Sequence, residues 1–336
     1  MMKNRAMKGS LVTLLSLMTS QAFAAQEVTV YTAFETDLLA KYKTAFERAN
    51  PDVSIKWVRD STGIMTAKLL AEKNNPRAEV VWGLAGSSMA LLKEEGVLIP
   101  YTPAGVEDLR PTLNDPLANP AWFGNEAVFN AICFNEAVAK QRNLPTPTSW
   151  DDLTNPIYRG HIAMPNPASS GTGYMQVSAW LNTFGEAQGW QYMAELDKNM
   201  AHYTHSGSKP CVQAAMGEVA IGISMAVRGA KLKTQGAPLA IITPKGIGWE
   251  SEAVGLVKAS DAAKRVVDWS VSQAANELYV ESYPVVAHKA VSSSVSHYPN
   301  VEAAMATMDF ANMGTERASI LATWSAKFDG KSEPQS

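Results

Sequence analysis

The front half of the chain repeats one unit, an apolar strand followed by an amphipathic helix, and this repetition limits the possible folds more than any other feature. Val28–Tyr31 reads as a short strand, and Thr36–Arg48 carries Leu38, Leu39, Tyr42, Ala45 and Phe46 at helical spacing until Asn50-Pro51 ends it. Val53–Val58 is a second strand, followed by Asp60-Ser61-Thr62-Gly63 and a helix through Lys73. Ala78–Leu84 is a third, and Ser87 or Ser88 is the expected cap of a helix running to Glu95. Strands joined through helices pair in parallel, so this run predicts a parallel sheet with helices on both faces.

Beyond it the texture changes. Tyr101–Phe123 is rich in Pro, Asn and Asp and reads as irregular wrapping. Ala127–Phe134 is a strand-like apolar run, and a second alternation starts at His161–Met164, with further strands near Val219–Ser224 and Leu239–Thr243. After Trp249–Val257 the pattern is mostly helical to Trp324, and the last six or so residues are expected to fray. Two α/β lobes joined by extended crossovers near 126–135 and 245–257 are the simplest topology. Lobe one is expected over 26–126 and 256–336, lobe two over 127–255, with a ligand cleft at the strand C-termini between them.

Residues 1–24 read as an export leader. Lys3, Arg5 and Lys8 give a positive start, Leu11–Met18 is apolar but too short to span a bilayer, and Ala22-Phe23-Ala24 puts small residues where a signal peptidase cuts. Cleavage is expected after Ala24 or one residue later, giving a periplasmic protein, and no Cys there indicates a lipid anchor. Loss of the three cations takes the formal charge from −3 to −6, which argues against nucleic acid as a partner. The roughly 310 remaining residues exceed what one core usually supports, so two domains are expected. Cys133 and Cys211 are expected to be buried free thiols, although an oxidising compartment permits a disulfide.

Several stretches resemble a known family. Val30-Tyr31-Thr32-Ala33-Phe34-Glu35, the segment Pro147–Pro156, Ile221-Gly222-Ile223-Ser224 and Arg228-Gly229-Ala230-Lys231 resemble the ferric-ion-binding group of periplasmic binding proteins. The resemblance implies an α/β type II periplasmic-binding-protein fold, with two lobes joined by two crossover strands, serving an ABC importer. Members take ferric ion, thiamine, sugar phosphates or phosphonates. Ferric binders carry adjacent tyrosines where this chain has Ser224-Met225, and a hydroxyl with a thioether does not replace two phenolates on a hard trivalent cation. Tyr31, Tyr174 and Tyr203 are scattered. Trp57–Ile64 and Tyr203–Pro210 are similar to the 2-aminoethylphosphonate-binding branch, which implies that compound as ligand and a membrane permease as partner. Another organophosphonate, a sugar phosphate or ferric ion are the alternative ligands. The protein is expected to be a monomer.

Three loops join hydroxyls to glycine at expected helix starts: Ser61-Thr62-Gly63, Ser169-Ser170-Gly171-Thr172-Gly173 and Ser206-Gly207-Ser208. The first N–H groups of a helix lack intrahelical partners and favour an anion, so Ser61, Thr62, Ser170, Thr172, Ser206 and Ser208 are candidates for a phosphonate. The ordinary role of such residues is N-capping. Lys209, Arg228 and His205 are further donors, each more often a surface or structural residue. For a ligand ammonium the candidates are Glu35 and Glu250, beside Tyr31 or Trp82. On a regular strand Glu250 and Glu252 share a face, so spacing does not choose between them. No Gly-x-Ser-x-Gly, His-Glu-x-x-His or P-loop occurs, and no cofactor is called for. A secreted hydrolase using Ser206 or Ser170 with His205 is the alternative from another class.

Overall fold

The structure is a computed structural model describing residues 25–334, so the leader expected over 1–24 lies outside the described residues. The first alternation comprises β1 (Gln26–Thr32), α1 (Thr36–Ala49), β2 (Val53–Arg59), α2 (Thr62–Ala71), β3 (Val80–Ala85) and α3 (Gly86–Glu94). Then come β4 (Trp122–Asn135), α4 (Glu136–Arg142), β5 (Ile162–Pro165), α5 (Gly171–Phe184), α6 (Glu186–Asp197), β6 (Met200–Thr204) and α7 (Lys209–Met216). The chain continues through β7 (Ile221–Met225), α8 (Ala226–Thr234), β8 (Leu239–Ile242), β9 (Trp249–Leu256), α9 (Asp261–Ser270), α10 (Gln273–Tyr279) and α11 (Phe310–Phe328).

The strands run in the order β2-β1-β3-β9-β4-β7-β5-β6, with β8 also pairing β4. Pairing is parallel among β1, β2 and β3 and among β5, β6 and β7, where helices return the chain. β4 and β9 run antiparallel to each other over Trp122–Phe129; β4 then pairs β7 through Asn130–Phe134, so one strand belongs to both lobes. Every residue of β4 is buried, including the polar Asn125, Glu126, Asn130 and Asn135. This is the type II binding-protein architecture, two α/β lobes connected by two crossover strands.

Four expectations need correction. α3 begins at Gly86, not behind a serine cap: Ser87 and Ser88 lie in its first turn, and the Glu250 carboxylate accepts the Ser87 N–H at 2.8 Å. The region before Trp324 is not mostly helical, because residues 281–309 hold no helix; Pro284 and the polar run Ser292-Ser293-Ser294 supply no apolar periodicity. The strand β6 was not expected, since five residues containing His202 and Thr204 show little alternation. The C-terminal segment does not fray over 331–334: Glu333 N–H donates to the Tyr203 carbonyl at 2.9 Å and Lys209 pairs with its carboxylate at 2.6 Å.

The cysteines also depart from expectation. Cys133 of β4 and Cys211 of α7 form a disulfide with Cα atoms 5.3 Å apart. Chain entropy says nothing about whether two cysteines meet, but β4 and α7 share a small buried cluster with Ala163, Ala214 and Val219 that seats both sulfurs. Because the bridge spans 78 residues, replacing both cysteines by alanine should lower unfolding free energy by about 2–4 kcal/mol, read from urea denaturation. Titration of the native protein should find no free thiol; two reactive thiols would overturn the assignment.

Candidate functional site

The parallel strands of both lobes point their C-terminal ends at one cleft, where open α/β sheets bind ligands. β1 ends into Ala33 and Glu35, β2 ends at Arg59 before Ser61 and Thr62, and β5 leads to Ser170 and Thr172. β6 leads to Gly207, and β7 ends at Met225. Glu252 of β9 and Tyr283 complete the lining. The free volume is about 30 Å³. Lobes this close must part to admit a ligand of several heavy atoms.

Three helices begin at this cleft, and their local chemistry differs from ordinary capping. Ser61 precedes α2, Ser170 precedes α5 and Ser208 precedes α7, yet none of the three side chains bonds to its own helix. The hydroxyls of Ser61 and Ser170 are thereby left available to an anion, whereas that of Ser208 bonds Ser206. Close approach depends on glycine. The Gly63 N–H donates to the Ser169 carbonyl across the lobe boundary at 2.8 Å, and a side chain at Gly63 would run into the Ala168 carbonyl. A side chain at Gly207 would collide with the Thr172 hydroxyl.

Glu35, Ser61, Thr62, Ser170 and Thr172 thus meet in one cleft. The other five candidates lie outside its lining. Tyr31 turns inward to donate to Glu72 at 2.9 Å. Trp82 is fully buried, stacks on Tyr42 and donates to the Tyr279 hydroxyl at 3.0 Å, so it packs the core. The hydroxyls of Ser206 and Ser208 bond each other at 3.2 Å and leave the Gly207 backbone at the cleft. Glu250 is fully enclosed at the start of α3, with Arg317 nearby on α11. Tertiary packing separates the two acids that spacing could not: Glu252 reaches the cleft, and α3 and α11 cover Glu250.

Other donors are engaged between the lobes. Arg228 of α8 pairs with Glu35, and Lys231 with Asp37. His205 lies 3.5 Å from Asp60, and Lys209 is held by Glu333. Arg59, missed by sequence reasoning, lines the cleft while its Nε–H donates to the Phe34 carbonyl at 3.1 Å. Its signal was position: a cation at the end of β2, directly before a hydroxyl-glycine loop. Ser224, at the place of one expected ferric ligand, donates to the Gly207 carbonyl at 2.5 Å.

Burial governs the acids. It pushes Glu250 up to about 7, opposed by the Ser87 N–H and the Arg317 charge. Glu126 and Glu252 face each other across β4 and β9, and burial together with their proximity raises Glu126 well above the ordinary carboxylate range.

Comparison with known proteins agrees with this architecture. Residues 75–303 match the family described as bacterial extracellular solute-binding protein. The chain belongs to that family. An uncharacterized protein of Haemophilus influenzae is 28% identical over 301 residues, covering 86% of this chain and 87% of the relative. The probable ABC transporter periplasmic-binding protein y4fP of Sinorhizobium fredii is 32% identical over 145 residues, 41% of this chain and 39% of that one. Among solved structures, the periplasmic binding protein AfuA of Actinobacillus pleuropneumoniae, with exogenous fructose-6-phosphate bound, superposes with TM-score 0.85 at 26% identity. That match covers 90% of this solute-binding protein and 99% of AfuA. Among the described residues no helix is long and apolar enough to cross a membrane.

Two outcomes follow from this geometry. Gly63→Ala should keep the lobes from meeting, enlarging the radius of gyration in X-ray scattering; an unchanged radius would contradict the contact. A carboxyl raised above its unfolded value stabilises the fold at low pH and ceases to as pH rises. The ligand-free protein should therefore lose stability between about pH 5 and about pH 7, and Glu250→Gln should flatten that slope in thermal denaturation.

Proposed function

We propose that this protein is the periplasmic solute-binding component of an ABC importer and that its ligand is 2-aminoethylphosphonate. Lobe one would comprise 26–126 and 256–336 and lobe two 127–255, closing about β4 and β9 once the leader over 1–24 has been removed. The observation that carries the reading is the convergence of two helix starts with non-capping serines, Ser61 and Ser170, and of the Gly207 loop on one cleft beside Arg59. A phosphonate offers three acceptor oxygens in different directions, and hydroxyls, amides and a guanidinium arranged around it supply donors from both lobes. Ser61, Thr62, Ser170 and Thr172 would hold the oxygens through hydroxyls, and the Ser206–Ser208 loop would contribute the Gly207 amide.

The fructose-6-phosphate seen with AfuA favours a second reading, a receptor for a sugar phosphate, in which the same donors hold a phosphate monoester. Ferric ion is disfavoured because the hydroxyl of Tyr174 is used on the Met313 carbonyl and that of Tyr203 on Asp197, leaving Ser224 and Met225 at the end of β7. A hydrolase is disfavoured because the ring of His205 lies against Asp60 while Ser206 bonds Ser208.

Hydrogen bonds to charged groups contribute roughly 1.5–3 kcal/mol each. Several of them, set against the costs of association, bring a net of about −8 kcal/mol and a micromolar Kd within reach. Calorimetry with 2-aminoethylphosphonate, ethylphosphonate and fructose-6-phosphate separates the readings. Binding of 2-aminoethylphosphonate ahead of the others is the expected result, and Arg59→Gln should weaken it about 10- to 100-fold. Tightest binding of fructose-6-phosphate would favour the second reading, and absence of heat with all three would remove both.

A further inference from the structure

We propose that Glu252 and Glu126 together form the cation-recognising end of the cleft, a carboxyl pair that releases one proton to solvent when a ligand ammonium enters. The inference rests on the reading of the site as a phosphonate cleft and assigns its opposite end.

Glu126 of β4 and Glu252 of β9 are direct partners in the antiparallel pairing, just past a register shift between Gly124 and Glu126. Directly opposed residues project to the same face, which brings the two carboxyl groups together. Glu126 is wholly buried, and neither of its oxygens has a hydrogen-bond partner; the Oε2 atom of Glu252 is likewise buried and unpartnered. The remaining edge of Glu252 lines the cleft. The pair is therefore a buried, donor-poor acceptor with one opening, and that opening faces the ligand site.

Charged and titratable groups converge on the pair from every neighbouring element. Tyr42 comes from α1, Tyr279 from α10, and Tyr283 from the segment after it. Glu35 precedes α1, Glu250 lies two residues away on β9, and Arg59 ends β2. Arg59 is the one cation among these groups, and three neutral phenols and two further acids surround the rest. Two ionised carboxylates cannot persist together in such a setting, so the ligand-free pair retains a proton. The alternatives for an ammonium are less suited: Glu35 is paired with Arg228, and Glu250 lies outside the cleft lining with one oxygen on the Ser87 amide.

The remainder of the cleft is rich in donors, namely hydroxyls, helix amides and Arg59. A ligand matching both ends must present anionic oxygens to the donors and its own N–H donors to the carboxyls. An entering ammonium supplies the positive charge that the retained proton supplied before, and that proton passes to water. Linkage gives the sign: proton release on binding makes affinity rise with pH, by up to about tenfold per unit while the pair stays protonated. A ligand without the ammonium leaves the proton in place.

The test is calorimetry at pH 7 in two buffers of different ionisation enthalpy, using 2-aminoethylphosphonate and ethylphosphonate. The ammonium lowers the second phosphonate ionisation of 2-aminoethylphosphonate below that of ethylphosphonate. The protons of each ligand's own phosphonate, titrated on the free ligand in the same buffers, are therefore subtracted first, and the excess reports the carboxyl pair. Wild type should release about one proton more with 2-aminoethylphosphonate than the ligand's own phosphonate accounts for. Glu252→Gln should abolish that excess and weaken 2-aminoethylphosphonate about 10- to 100-fold, a loss at least tenfold greater than for ethylphosphonate. Glu126→Gln should act in the same direction, and retained ethylphosphonate binding by either variant shows that it is folded. An equal proton count for wild type and Glu252→Gln with 2-aminoethylphosphonate, or equal weakening of both ligands by Glu252→Gln, would overturn the assignment and leave the anion site intact. If neither ligand binds wild type, the phosphonate reading fails and this inference with it.

Discussion

The antiparallel pairing of β4 with β9 over Trp122–Phe129 sets the position of everything else in the cleft. Both strands are buried, and each continues from one lobe to the other, so the ladder is at once part of the first sheet and the connection to the second. A rotation of one lobe against the other must be absorbed where β4 exchanges β9 for β7, at Asn130. The residues packed around the ladder keep it rigid: Ser251 donates to the Leu113 carbonyl at 2.8 Å, and Asn125 donates to the Ser270 carbonyl at 3.0 Å. Glu126 and Glu252 sit within this ladder, and their opposition is a consequence of its register.

Across the cleft the contacts are of another kind. Arg228 with Glu35 and Lys231 with Asp37 are ion pairs at the rim, partly open to water, where such pairs contribute little. The Gly63–Ser169 hydrogen bond is one backbone interaction. None of these rivals the apolar burial inside either lobe, such as the cluster of Phe34, Tyr42, Trp82 and Trp269. Lobes held together so lightly can separate, and a ligand contacting both can shift the balance by its differential affinity alone.

The fold was legible because its elements carry strong local patterns. Leu38, Leu39, Tyr42 and Phe46 mark α1 by period, and the apolar run Ala127–Phe134 marks most of β4. β6 escaped because Met200–Thr204 mixes polar and apolar residues without alternation, and the irregular course of 281–309 is fixed by packing. In the site, Ser61, Thr62, Ser170 and Thr172 were legible because glycine-hydroxyl loops after strands have a local signature. The acids were not. Glu250 and Glu252 share one face of β9, and which of them reaches the cleft depends on what tertiary packing covers: Ser87 of α3 and Arg317 of α11 enclose Glu250, while Glu252 lines the cleft. The disulfide has the same character, since its two cysteines are joined by tertiary packing across 78 residues.

A buried polar network ties α5 to the crossovers. The Asn130 side chain donates to the Thr172 carbonyl and to Gln176 Oε1, both at 3.1 Å. Gln176 Oε1 also accepts the Gly248 N–H at 3.0 Å, just before β9 begins, and its Nε2–H donates to the Gly246 carbonyl. Asn130 and Gln176 are both wholly buried, where an unmade hydrogen bond costs far more than a made one contributes. The first turn of α5 is therefore fastened to both crossover strands at the point where they pass between lobes. Thr172, whose hydroxyl faces the cleft, cannot shift without disturbing that fastening. A ligand that draws the α5 start toward Ser61 and Arg59 thus acts on the hinge itself, and this lets a few hydrogen bonds in a small cleft set the relative position of two large lobes.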